Sequence, residues 1–244
     1  MDPAYSVAAG SLKARSFQLE ARSNNLANVD TVGYKSERTF YSVFNKSGGQ
    51  LPLSRYVNEG TVLAQSSVDF QQGAFRTTGR SLDLAIEGNA FFMVQTPQGL
   101  RASRDGRLRI GEGGRLESVD GAPVLGKNNQ PITLLPRGGE VTVSPDGTVQ
   151  QDGTVLGQLE LKAYRNPGAL QRAGNSRFDA TGQEEAAPRA RVIQGQLETS
   201  TADAPSAMIE MIRLNRLFEM SMKVASTLTN DLDAKSISDI AGGR

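Results

Sequence analysis

The chain has 244 residues with 27 basic and 26 acidic side chains, a formal net charge of +1. That length forms one or two domains with a real core, and a charge so close to zero argues against a polybasic nucleic-acid or membrane-surface binder. With neither Cys nor His, disulfides, thiolate chemistry, zinc–thiolate sites and the commonest general base are excluded, and no cofactor or metal site is expected. No apolar run approaches the roughly 18 residues of a membrane span. The N-terminus lacks the basic-then-apolar layout of a cleavable signal peptide. A cytosolic address does not follow, because some export routes use no such signal.

In chain order, residues 3–29 read as a helix opened by Asp2-Pro3. Tyr5, Leu12, Leu19 and Leu26 recur every seven residues, with the small residues Ala9, Ser16 and Ser23 beside them. So narrow an apolar stripe is the pattern of a coiled-coil seam. Residues 36–80 hold Gly48-Gly49, Pro52 and many polar residues without a sustained period. They read as an extended connection with weak strands near Val68-Asp69-Phe70 and Ala74-Phe75-Arg76. Residues 81–199 have period two, as in Leu82, Leu84 and Ile86. Turn signals punctuate this stretch at Gly88-Asn89, Thr96-Pro97-Gln98-Gly99, Asp105-Gly106, Asp120-Gly121, Asp146-Gly147 and Asp152-Gly153. Gly88-Asn89 is expected to form a hairpin into Phe91-Phe92-Met93-Val94. Short strands so punctuated imply an antiparallel β-rich domain.

A second helix is expected from about Ala204 to Ala234, with Asp203 as N-cap and Pro205 in the first turn. One seam on it is Met208, Met211, Asn215, Phe218, Met222, Ala225, Thr229 and Leu232. An adjacent seam is Leu214, Leu217, Ser221, Val224 and Leu228, while Glu210, Arg213, Arg216 and Lys223 form the polar side. Gly242-Gly243 closes a tail expected to fray. The fold class expected is α+β: N- and C-terminal helices pair as a coiled-coil-like element, with an antiparallel β-rich domain inserted between them. The expected boundaries are a discontinuous helical assembly domain at 1–35 and 200–244, a connection at 36–80 and the β-rich domain at 81–199. Burying one Leu- or Met-sized side chain is worth about 1.5–3 kcal/mol. A helix with two seams and one helical neighbour therefore favours assembly with other subunits.

The first helix runs into Asn24-Asn25-Leu26-Ala27-Asn28-Val29-Asp30-Thr31-Val32-Gly33-Tyr34-Lys35. Physically the segment ends a helix, since Asn and Gly tolerate the left-handed backbone. The string also closely resembles the signature of the bacterial flagellar rod and hook family. Leu82-Asp83-Leu84-Ala85-Ile86-Glu87-Gly88-Asn89-Ala90-Phe91-Phe92 resembles a second family segment, with Asn89-Ala90 in place of its acidic-glycine pair. Ser103-Arg104-Asp105-Gly106-Arg107-Leu108, Asp120 to Gly126, Gly195-Gln196-Leu197-Glu198 and Glu210 to Glu219 are similar to further segments. Thr199 to Asp203 replaces the family's usual Ser-Asn-Val.

The resemblance implies a non-catalytic structural subunit of the periplasmic rod, located in the flagellar basal body. It implies assembly with copies of itself and other rod proteins into a helical, torque-transmitting tube, after export through the flagellar type III apparatus. Neither nucleic acid nor direct membrane insertion is implied. Length and the opening Met-Asp-Pro-Ala-Tyr favour the proximal-rod branch, the distal-rod branch being the alternative. Motif positions carried over are Asn24, Asn25, Leu26, Ala27, Asn28, Gly33 and Tyr34. Tyr5, Leu12, Leu19 and Leu26 are expected to meet the Met208–Leu232 seam, and Leu214, Leu217, Val224 and Leu228 the neighbouring subunits.

Readings from other classes are a carbohydrate-acting enzyme and a binding module. Asp146 with Asp152, and Glu184-Glu185, are the candidate paired carboxylates, although Asp-Gly is turn chemistry. Gly111-Glu112-Gly113-Gly114 lacks the Lys-Ser/Thr of a phosphate loop and reads as a hairpin turn. Arg101, Arg104, Arg107, Arg109 and Arg115 cluster without the aromatics that stack on bases, and read as a solvated strand face.

Overall fold

The structure, a computed structural model, describes residues 3–43, 62–135, 138–183, 185–186 and 188–241. The chain divides into a helical unit (Met1–Ala27, Glu37–Ser67, Asp203–Arg244) and a β unit (Asn28–Ser36, Val68–Ala202). This division departs from the boundaries read from sequence. Asn28–Ser36 belongs to the β unit, and Glu37–Ser67 to the helical one.

In the helical unit, α1 (Pro3–Ala27) packs against α2 (Ala204–Ala241). α1 stops two residues before the expected end, and α2 runs seven beyond it. The Asp203 carboxylate accepts the Ser206 backbone N–H at 3.1 Å, so it caps α2 as its residue type dictates. Two strands, β1 (Glu37–Val43) and β2 (Val62–Val68), pair within the stretch expected to be irregular. The rest of that expectation, residues 44–61, lies outside the described residues, as do Gly242-Gly243.

The β unit begins with β3 (Phe75–Thr77), β4 (Leu84–Gly88), β5 (Ala90–Thr96), β6 (Gly99–Ser103), β7 (Leu108–Ile110) and β8 (Leu116–Ser118). There follow β9 (Val141–Val143), β10 (Thr148–Gln151), β11 (Thr154–Gln158), β12 (Leu161–Tyr164) and β13 (Gln171–Arg172). It closes with β14 (Arg177–Asp179), β15 (Glu185–Ala186), β16 (Ala190–Gln194) and β17 (Gln196–Glu198). The largest sheet has the order β13-β14-β6-β5-β12-β15, and every pairing in it is antiparallel.

The central strand β5 explains why Phe91-Phe92-Met93-Val94 is apolar without alternation. Phe92 and Val94 enter one core with Leu84, Ile86, Leu116, Val124, Val149 and Leu159. Phe91 and Met93 point to the other face and pack with Ala102, Leu125, Tyr164 and Phe178. A strand buried on both faces has no polar side to show. Two expected turns connect ladder partners as tight hairpins. Thr96 and Gly99 pair across Pro97-Gln98, and Gln151 and Thr154 pair across Asp152-Gly153. Asp152 and Gly153 both take positive φ (49° and 77°), as the two-residue hairpin turn requires.

Gly88-Asn89 departs from expectation. The chain turns there, but β4 pairs with β16, more than 100 residues on, and not with β5. The Asn89 side-chain oxygen accepts the Arg189 N–H at 2.9 Å, so the polar turn residue serves this long-range junction instead.

Candidate assembly interface

The motif that spans the end of α1 performs two separate jobs. Asn25, 3% exposed, donates from Nδ2 to the Glu37 carbonyl and accepts the Glu37 N–H through Oδ1, both at 2.8 Å. Its amide thus clasps β1 to the end of α1. Beyond Ala27, Asn28 and Thr31 close a turn, with the Thr31 N–H donating to the Asn28 carbonyl and the hydroxyl to the Asn28 side chain. Gly33 follows at φ +66°. Its N–H donates to the Glu198 carbonyl at 2.9 Å, and its bare Cα faces the Arg104 backbone. Tyr34 is buried, with the Arg172 guanidinium 4.5 Å over its ring. Asn24 and Ala27 are exposed, and Leu26 and Asn28 half-buried.

The next residue, Lys35, ends in a charge cluster closed to solvent. Its Nζ donates to Glu198 Oε1 at 2.5 Å and to the Gln71 carbonyl at 2.6 Å. Glu198 Oε1 also accepts the Gly73 N–H at 2.8 Å, and Oε2 meets Arg104 Nη1 at 3.3 Å. Arg104 further donates to the Ile86 and Gly88 carbonyls at 3.2 and 2.6 Å, while its Nε is buried with no acceptor among the described residues. Burial pushes the Lys35 ammonium below the usual lysine range, and the attraction of Glu198 only partly opposes it. Nothing in the sequence marks Lys35, Arg104 and Glu198 as neighbours. Each stands in a separate family segment, and nothing in those segments predicts that the three charges meet.

The helices present the other candidate surface. On α1, Leu12, Leu19 and Leu26 are half-buried, but the most closed side chains are Ala14, Ala21 and Asn25. At roughly 100° per residue the two sets lie nearly opposite one another, so α1 is covered on two sides and not along a single stripe. The side chain of Tyr5 lies outside the described residues, as do those of Ala225, Leu228 and Leu232.

On α2, the inward residues are Ala207, Met211, Leu214, Leu217, Phe218 and Ser221. Leu214 and Leu217 line a groove with Gln18 and Arg22 of α1, where Arg22 Nε meets Glu210 at 2.7 Å. The expected division into two seams is therefore redrawn: Leu214 and Leu217 lie beside α1 within the chain. Met208, Asn215, Met222 and Val224 are exposed instead. So are Ile209, Ile212 and Met220, which no expected seam included. Among the described side chains of α2, six large apolar ones are each at least half exposed, Ile209 reaching 69%. Arg213, Arg216 and Lys223 stand among them, so the pattern reads as a polar side.

The rival sites dissolve into local structure. Asp146 accepts the N–H and hydroxyl of Thr148, and Asp152 accepts the Gly139 N–H. Asp146 is engaged within its own turn, and Asp152 ties its hairpin to Gly139. Glu185 pairs with Lys162 at 2.6 Å, and Glu184 lies outside the described residues. The arginine run is a solvated face only in part, since Arg109 and Arg115 are exposed. Arg104 is buried, Arg101 meets Asp179, Arg107 meets Asp105, and Arg109 and Arg115 share Glu117.

Three family models match, and they define a class, the axial proteins of the bacterial flagellum. They are described as "Flagella basal body rod protein" (residues 6–35), "Flagellar hook protein FlgE/F/G D1 domain" (85–151) and "Flagellar basal body rod FlgEFG protein C-terminal" (193–237). Lys35, Arg104 and Glu198 fall one in each. Among curated relatives, the flagellar basal-body rod protein FlgF of Rhizobium meliloti is 32% identical, over 98% of both chains. FlgG of Borreliella burgdorferi is 31% identical over 92% of this chain and 94% of its own. FlgF of Escherichia coli is 30% identical over 95% and 96%. The chain belongs to the flagellar basal-body rod family, the structural subunits of the basal-body rod.

Proposed function

We propose that this chain is a non-catalytic building block of the rod whose helical unit joins copies of itself and other rod proteins into a helical tube. The observation that carries this is the outer side of α2, where Met208, Ile209, Ile212, Met220, Met222 and Val224 are at least half exposed. Roughly half of each side chain remains to be buried. At about 1.5–3 kcal/mol for full burial, the strip offers about 5–9 kcal/mol in total. Association costs about 4–15 kcal/mol, so one neighbour gives marginal binding and several neighbours give a lattice. Heterologous contacts that do not close into a ring generate a helical filament. Arg213, Arg216 and Lys223 within the strip favour neighbours that bring carboxylates.

In this account α1 and α2 form the coiled-coil-like element of the assembled tube. Leu12, Leu19, Leu26, Met211 and Phe218 close it inside each subunit. Torque then passes through many shallow apolar contacts acting together. Export through the flagellar type III apparatus as an unfolded chain fits a sequence without Cys, which forms no disulfide on the way. The proximal rod is the position favoured by the opening residues and the FlgF relatives. The distal rod is the second reading, supported by similarity to FlgG over nearly the whole chain. Isolated basal bodies carrying a tagged copy should show the label between the inner-membrane ring and the hook. Label on the hook alone, or none, would sink the proposal.

A further inference from the structure

The cluster of Lys35, Arg104 and Glu198 has an unusual makeup. Two cations share one anion, all three side chains are 3% exposed or less, and Arg104 Nε has no acceptor among the described residues. The Asp69 carboxylate adds attraction to Lys35 from nearby. Such a cluster is a poor source of folding stability, because buried ion pairs return little beyond their desolvation cost. Its position is more informative than its energy.

The chain passes between the two units at residues 27/28, 36/37, 67/68 and 202/203. Within the β unit, the segments beside these passages are tied to one another. Gly33 N–H donates to the Glu198 carbonyl, Thr201 N–H to the Tyr34 carbonyl at 3.1 Å, and Asp69 N–H to the Ser36 carbonyl at 2.8 Å. Ser36 N–H donates to the Thr201 hydroxyl at 2.8 Å. The Lys35 ammonium joins the first segment (33–36) to the second (69–73) through Gln71, and to the third (198–201) through Glu198. Glu198 returns to the second segment through Gly73.

We infer that Lys35 is a latch: its ammonium fastens the three chain segments through which the β unit is connected, and the latch opens without unfolding the β core. A pull on any one of these segments is then shared by the other two and does not peel a single strand from its ladder. The latch is a property of the monomer, so its test and the assembly test fail independently.

Lys35→Met is the informative variant. It removes the ammonium's bonds to Gln71 and Glu198, leaving the backbone bonds between the segments unsupported, and leaves Arg104 and Glu198 as a balanced pair. In hydrogen exchange on the full chain, the Gly33, Asp69, Gly73 and Thr201 amides should exchange about tenfold faster or more, the size expected for losing bonds to a charged group. The Leu116, Val124 and Leu159 amides, bonded deep in the β unit, should keep their rates within about twofold, and the urea midpoint should hold. Glu198→Gln leaves two buried cations without the anion they share, and should instead speed both sets and lower the midpoint. Three results overturn the latch. They are a Lys35→Met chain that does not fold, one whose two sets of amides change together or not at all, and one that behaves as Glu198→Gln does.

Discussion

Replacing Gly33 by alanine sets a methyl group where the structure has none to spare. The added Cβ would lie 2.5 Å from the carbonyl carbon and oxygen of Arg104 and 2.7 Å from the Asp105 nitrogen. These are backbone atoms, and Arg104 is held at its far end by Ile86, Gly88 and Glu198, so neither side yields cheaply. The left-handed backbone at φ +66° costs an L-residue about 1–2 kcal/mol. Relieving the overlap costs about 1–3 kcal/mol more, and weakening the Gly33–Glu198 hydrogen bond about 1 kcal/mol. The sum, about 3–6 kcal/mol, is a large share of a total stability of about 5–15 kcal/mol. Gly113 supplies the control, with φ +70° and nothing within 4 Å of its added Cβ. Gly113→Ala should therefore cost only the backbone share, about 1–2 kcal/mol. Urea unfolding of both full-length variants, followed by circular dichroism, measures the difference. Equal losses for the two would show that the close approach to Arg104 contributes nothing, and would refute the packing argument.

Other outcomes follow from single contacts. Asn25→Ala removes both bonds to the Glu37 backbone and should lower the melting of the helical unit by about 1–3 kcal/mol. Asn25→Asp keeps an acceptor but no donor, so it should not restore that loss; full rescue by Asp would contradict the two-point clasp. The Asp203 carboxyl is held below its usual range by the Ser206 hydroxyl and, after it, the Ser206 backbone N–H. Its cap is therefore complete at neutral pH and is lost as pH falls through the depressed value. The Ser206 and Ala207 amides should lose protection in acid, and Asp203→Asn should remove that pH dependence. Burial, with Glu185 and Glu160 adding, pushes the Tyr164 hydroxyl from 10.0 up to about 12. Stability should fall between these two values, because only the unfolded chain ionises there. A spectroscopic titration of Tyr164→Phe should lack the late-ionising tyrosine, and an unchanged curve would contradict the assignment.

What was legible in the sequence was what local chemistry decides. The apolar run 91–94, the Pro97-Gln98 and Asp152-Gly153 hairpins, and the Asp203 cap all depend on residues a few positions apart. Gly88-Asn89 shows the limit. The dipeptide does turn the chain, but which strand pairs next was set by Ala190–Gln194, far along the sequence. The ion cluster lay beyond reach for the same reason, since Lys35 and Glu198 are 163 residues apart. On α2, Ile209, Ile212 and Met220 were hidden by Arg213, Arg216 and Lys223, which share their side of the helix. The seven-residue spacing that revealed Met208 and Met222 also grouped them with Met211 and Phe218, which turn inward. Periodicity finds the apolar positions of a helix, but exposure in the fold decides which of them are left for neighbours.

The outer side of α2 is most directly tested by the double variant Ile209→Asp with Ile212→Asp, expressed in cells lacking the native copy. Both side chains are more than half exposed in the subunit, so the purified chain should keep its helix content and its unfolding midpoint. The cells should build no rod beyond this subunit and should not swim. Complete rods and normal swimming with both aspartates in place would contradict the account.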